Sequence, residues 1–179
     1  MDTVVFHWIN TGWSHPVLDW VMSGLNLLGS RWTALGVCVG FVVVGSRRTR
    51  VWGMLGIMAL GISLTLVEIL KHIVLRSRPW VVLPGVRLLE AAQGPDLSFP
   101  SGHAAAAFAL ATLVALRFPR TILPAFLLAT GVALARIYLG VHFPSDVLAG
   151  AVLGAVPTWF VGRWALRRFP HRLGTGDHG

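Results

Sequence analysis

Arg136-Ile137-Tyr138-Leu139-Gly140-Val141-His142-Phe143-Pro144-Ser145-Asp146 closes one long apolar run, Ile122 to Leu139, and opens another, Val147 to Leu166. An ionisable residue beside or inside an apolar span is costly and is a functional-site candidate by default. Here an arginine, a histidine and an aspartate share one short bend. His142 and Asp146 are four residues apart, close enough for the carboxylate to hold one imidazole nitrogen. The other nitrogen is then left basic, as a nucleophile or a general base requires. Arg136 offers a planar fork of donors suited to a phosphate. The bend reads as half of a phosphoryl-transfer site.

The composition sets the solvent. Of 179 residues, 55% are hydrophobic and 12% charged, whereas a soluble domain carries about 25% charged residues. Mean hydropathy is +0.70. The expected fold class is all-α: a polytopic membrane helical bundle forming one domain over residues 1–172, with a polar tail at 173–179. Formal net charge is +8. Cytoplasmic-loop arginines account for it, and no nucleic-acid partner is expected. The single cysteine, Cys38, cannot form an internal disulfide. Met1 to Ser14 lacks the basic start and cleavage site of a signal peptide.

Further apolar runs cover Pro16–Leu28, Trp32–Gly45, Val51–Leu75 and Ser101–Leu116. The first holds 13 residues and Asp19, short of the roughly 20 that a span needs. Pro79 ends the third, Trp80 to Pro100 reads as a loop, and Pro157 should kink the last run. The tail from Arg163 is expected to fray. If the runs alternate, the turns at 46–50 and 117–120 and the tail share a side holding Arg47, Arg48, Arg50, Arg117, Arg120, Arg163, Arg167, Arg168 and Arg172. The positive-inside rule makes that side, and the C-terminus, cytoplasmic. Lys71, Arg76, Arg78, Arg87 and Arg136 then face the periplasm or cell exterior.

Two more stretches fall on that outer side. Lys71 and Arg78 are seven residues apart. They share a helical face about 10 Å apart along the axis, suited to an anion, although snorkelling at a helix end gives the same pattern. Ser98-Phe99-Pro100-Ser101-Gly102-His103 runs into a helix. Ser101 is a good N-cap, Gly102 allows close approach, and His103 in the first turn can reach an anion at the helix N-terminus. An ordinary capped helix with an interfacial histidine would look alike. Together the stretches supply the inventory for phosphoryl transfer through a histidine.

Lys-x6-Arg-Pro, Pro-Ser-Gly-His and Arg-x5-His-x3-Asp, in that order, resemble the three motifs of the type 2 phosphatidic acid phosphatase superfamily, whose distant members include vanadium haloperoxidases. The resemblance spans Lys71 to Asp146 by motif. It implies a core of about six transmembrane helices, in a cell inner or plasma membrane, with no cofactor and no required metal. By position it implies that His142 is the nucleophile, that Asp146 orients it, and that His103 protonates the leaving oxygen. It further implies that Lys71, Arg78, Ser101, Gly102 and Arg136 bind the substrate phosphate. Ala135 stands where the family often has serine.

The function expected is hydrolysis of a lipid phosphate or diphosphate, with undecaprenyl diphosphate ranked first. Phosphatidate, phosphatidylglycerophosphate and lipid A phosphate stay open as substrates. A phosphotransferase on the same site is an alternative, and a transporter that only binds lipid phosphate is disfavoured by the paired histidines and aspartate. Glu68, three residues before Lys71, reads first as its charge partner. His72 reads as interfacial, Arg76 as either phosphate contact or solvated loop, and Tyr138 as site lining or interface anchor. Asp19 is read as a cap or as facing a polar seam.

Overall fold

The computed structural model describes residues 1–90 and 97–173, apart from the side chains of His171 and Arg172. Its helices are α1 (Asp2–Asn10), α2 (Pro16–Leu28), α3 (Arg31–Val44), α4 (Arg47–Val74), α5 (Pro79–Val82), α6 (Gly102–Arg117), α7 (Ile122–Tyr138), α8 (Pro144–Arg168) and α9 (Pro170–Leu173). The chain is all-α, and the six apolar runs read from the sequence correspond to α2, α3, α4, α6, α7 and α8. Serines set the starts of three of them: Ser30, Ser46 and Ser101 accept from Thr33, Thr49 and Ala104 amides at 3.0, 3.3 and 3.4 Å.

Among the described residues, three segments are long and apolar enough to cross a bilayer: Arg47–Val82, Pro119–Tyr138 and Pro144–Arg168. α2 and α3 pass only together, as one span bent by 52°. Pro16–Leu28 is thus too short to cross alone; with α3 it forms either a broken span or a re-entrant loop. Asp2, Asn10 and Asp19 all bond to groups at the outer end of the bundle. α6, 16 residues long and apolar, packs on α8, α7, α4 and α3.

Small residues bring α6 and α8 together. A Cβ at Gly154 would lie 2.1 Å from the Ala105 carbonyl oxygen, and one at Gly150 2.4 Å from that of Ser101. Ala104 and Ala105, both fully buried, stand opposite these glycines. This contact holds the start of α8 against the start of α6, where the Ser101 amide donates to the Asp146 carbonyl at 3.0 Å. Backbone packing therefore fixes two of the three motifs relative to each other.

The opposite end carries the basic turns. Arg117 donates to Thr49 Oγ1 at 3.3 Å, joining the 46–50 and 117–120 turns. Leu173 is buried with Trp52 and Cys38. Ordered helix thus runs through Arg168 and again to Leu173, where fraying from Arg163 is expected; the rest of the proposed tail lies outside the described residues. Trp52 is fully buried rather than part of an interfacial belt.

Candidate active site

α4 ends where its chemistry begins. Leu75 adopts a left-handed conformation (φ 52°) and its amide closes on the Lys71 carbonyl at 3.0 Å. The chain then runs extended through Arg76 and Arg78 to Pro79. Lys71 and Arg78 are both buried, at 8% and 7% exposure. Arg78 donates to the Val141 carbonyl at 3.0 Å and stacks over Trp80 at 5.2 Å. It therefore reaches across to the bend after α7.

That bend is built on Gly140, whose positive φ of 84° brings the chain against the Arg87 carbonyl. Val141 and His142 amides both donate to the Arg136 carbonyl at 3.2 Å. Buried Asn10 staples the bend from α1, its side-chain amide donating to the Tyr138 and Arg87 carbonyls at 2.8 Å. Pro144 starts α8, and the Phe143 amide donates to Asp146 Oδ2 at 2.8 Å.

The three motifs meet. Lys71, Arg78, Gly102, His103, Arg136 and His142 line one cavity of about 150 Å³, with Arg31, Glu68, Trp80 and Glu90 also on its wall. Ser101 and Asp146 lie behind the wall, fully buried. Ser101 caps α6, and Asp146 stands beside His142. The cavity is cationic on one side and carries both histidines.

His142 is 2% exposed. Its Nε2 lies 3.5 Å from Arg78 Nη1. A guanidinium only donates, so Nε2 is the acceptor and Nδ1 carries the proton towards Asp146. The Nδ1 to Asp146 Oδ2 separation is 3.5 Å, looser than a normal hydrogen bond. Such contacts are often long in the free enzyme and tighten with substrate. Burial is the largest influence on the imidazole. Together with the Arg136 and Arg78 charges it holds His142 below the ordinary histidine range, against the pull of Asp146. The free site thus presents an unprotonated nitrogen.

Asp146 is held on every side. Oδ2 also accepts from Ser98 Oγ at 2.5 Å, and Oδ1 from Arg76 at 2.7 Å. Arg76 in turn bonds Ser145 Oγ and Asp2 Oδ2, each at 2.6 Å, and stacks 3.9 Å over the Phe143 ring. Burial alone would raise the Asp2 carboxyl, but hydrogen bonds from Ser145 and Arg76 outweigh it and hold that group below the usual carboxylate range. Arg76 is therefore neither a phosphate contact nor a solvated loop residue. It is the clamp on the carboxylate.

Arg136 is 3% exposed, bonded to Asn26 and to Glu90 at 2.6 Å. Glu68 lines the cavity, while His72 points outward with Nδ1 against the Glu68 carbonyl. Tyr138 is fully buried and donates to Asp19 at 2.6 Å, and Arg87 grips the same carboxylate at 2.5 and 2.8 Å. Tyr138 is thus neither site lining nor interface anchor, and Asp19 ties α2 to α7. The cap of α2 is His15.

Ser98, Asp2, Arg31 and Glu90 are the site residues that sequence reading passed over or left without a role, and Arg76 is one whose role it did not find. Ser98 and Arg76 lie inside or beside the motifs, so proximity to the motif was the available signal. Asp2 and Glu90 come from distant chain and carried none.

A family model described as the PAP2 superfamily matches residues 50–170. The bacitracin transport permease protein BcrC of Bacillus licheniformis is 31% identical over 87% of this chain and 76% of its own length. An undecaprenyl-diphosphatase of Sulfolobus acidocaldarius is 34% identical over 61% of this chain, which spans about half (53%) of that relative. The crystal structure of Aquifex aeolicus LpxE superposes with a TM-score of 0.81 at 29% identity, over 90% of this chain and 94% of that one. The family match contains the clustered Lys71–Arg78, Gly102–His103 and Arg136–Asp146 stretches together with the helices that carry them, and on that ground this multi-pass membrane chain belongs to the PAP2 superfamily of phosphatases.

Proposed function

We propose that the protein hydrolyses a lipid diphosphate or phosphate, undecaprenyl diphosphate first among them, through a phosphohistidine on His142. The observation that carries this is the meeting of two histidines and three buried cations around one small cavity, with His142 Nε2 3.5 Å from Arg78 Nη1. Lys71, Arg78 and Arg136 take the non-bridging phosphate oxygens, helped by the Gly102 amide at the α6 N-terminus, which Ser101 caps. Nε2 attacks phosphorus, the bond to the lipid oxygen breaks, and His103 gives that oxygen a proton. In the second step His103 takes a proton from water, which attacks phosphorus and breaks the P–N bond. Asp146 accepts from Nδ1–H and stabilises the charge that develops on the ring. These side-chain cations supply the charge neutralisation for which other phosphatases use metal ions, so the reaction is expected to proceed in EDTA.

The positive-inside pattern supports a site at the periplasmic or exterior face, where the apolar part of a lipid would stay in the bilayer. Relatives named for prenyl diphosphate and decaprenylphosphoryl-phosphoribose substrates favour a polyprenyl lipid. Others are named for lipid A and phosphatidylglycerophosphate, which remain the competing substrates. Purified protein in EDTA is expected to release inorganic phosphate from undecaprenyl diphosphate and to yield an acid-labile, base-stable phosphoenzyme on rapid quench. Activity retained by His142→Ala would remove the nucleophile assignment.

A further inference from the structure

A second cavity of about 330 Å³, almost wholly apolar, lies between α2, α6 and α7. Its register against the catalytic cavity repeats on three helices. On α6, His103 lines the polar cavity and Ala107 the apolar one. On α7 the pair is Arg136 and Val132, and across the α2–α3 break it is Arg31 and Leu28. Three or four residues is one helical turn, about 6 Å. The apolar groove therefore begins one turn below the catalytic cavity and continues along α6 to Val114 and along α7 to Thr121.

Arg31 stands at this junction. It is exposed and opens α3 just after the α2–α3 bend, where the positive end of the helix dipole disfavours a cation. Among the described residues it has no ion-pair or hydrogen-bond partner, although it lines the catalytic cavity. Its guanidinium is therefore open to a second anionic group on a ligand held there.

Building on the function proposed above, we propose that Arg31 binds the phosphate that stays on the lipid, so that the site prefers diphosphate lipids and seats their chain in the α2–α6–α7 groove. When the Nε2–P bond forms, the bond from the terminal phosphorus to the bridging oxygen breaks. The electron pair remains on the departing lipid monophosphate, and Arg31 balances that charge while His103 supplies the proton. A monoester has no second phosphate and gains nothing from Arg31. The groove begins one helical turn from the cavity on three helices, which suits one linear apolar chain trailing from a bound headgroup.

The test is the ratio of kcat/KM for farnesyl diphosphate to that for farnesyl monophosphate, in detergent. The ratio is taken within one preparation, so loss of folded protein cancels. Arg31→Gln is expected to lower the ratio about 100- to 1,000-fold, the usual scale for removing one donor at developing charge. Arg31→Lys should keep most of it. An unchanged ratio in Arg31→Gln overturns the assignment. If the wild type releases phosphate from neither compound nor from undecaprenyl diphosphate, the phosphatase reading itself falls. Ala125→Phe, narrowing the far end of the groove, should slow undecaprenyl diphosphate more than farnesyl diphosphate; equal effects overturn the chain's placement.

Discussion

His142 and His103 face the same cavity and are held in opposite ways. His142 is buried in a rigid bend, beside a carboxylate gripped by Ser98, the Phe143 amide and Arg76. His103 stands half-buried in the first turn of α6 and, among the described residues, has no hydrogen-bond partner. A nucleophile must meet phosphorus along one line, so in the proposed mechanism freedom at His142 would cost rate. A proton donor must follow a leaving oxygen that differs between lipids and moves as the bond breaks. The protein spends its polar contacts on the first histidine and leaves the second room.

The largest expected effect tests the fixed side. His142→Ala should lower kcat by on the order of 10⁴-fold or more and abolish phosphoenzyme, because no other group replaces a covalent nucleophile. His103→Gln should cost about 10²- to 10⁴-fold on a lipid substrate. The loss should shrink sharply with p-nitrophenyl phosphate, whose leaving group needs no proton. An equal loss on both substrates would erase the distinction between the two histidines.

Loosening the clamp should bring the two residues closer in behaviour. Arg76→Met or Ser98→Ala is expected to lower kcat about 10- to 100-fold, the scale seen when groups orienting a reactive ligand are removed. KM should change little, since neither side chain lines the cavity. The pH profile gives a sharper version. A histidine held below its ordinary value stays neutral, and therefore nucleophilic, as pH falls through about 6.5. It is lost only when pH passes the lowered value. The acid limb of kcat/KM assigned to His142 should accordingly lie below that ordinary value, and a His142-linked inflection at or above it would contradict the buried, cation-flanked geometry.

The smallest effects concern the frame. Gly154→Ala pushes a methyl into the Ala105 backbone and should cost about 1–3 kcal/mol of stability, read as a lowered Tm in detergent. Tyr138→Phe removes one bond to Asp19 and should cost about 0.5–1.5 kcal/mol, with kcat nearly unchanged.

The sequence carried the helices and the three motif stretches because both are local. Hydropathy marks each run, and Lys71–Arg78, Ser101–His103 and His142–Asp146 each sit within two helical turns. Common sidedness then followed from arginines elsewhere. What stayed illegible was pairing between distant chain. Asp2 reaches Arg76 across 74 positions and Asn10 reaches Tyr138 across 128. Nothing in local period or composition signals such a partner. Arg76 shows the cost most clearly: three residues before Pro79, it looked like phosphate-binding material, yet its partner is the aspartate behind the nucleophile. The α2–α3 break escaped for a related reason, since a 13-residue run reads as too short until its continuation across Gly29 and Ser30 is seen.

One contact reaches beyond the resting protein. Glu90 already occupies Arg136, so under the proposed function an incoming headgroup exchanges one anion for another there. On the same proposal the Glu90 carboxylate competes with inorganic phosphate for Arg136 after turnover. Glu90→Gln should therefore turn free phosphate into a stronger inhibitor; an unchanged inhibition constant would mean that the exchange has no part in emptying the site.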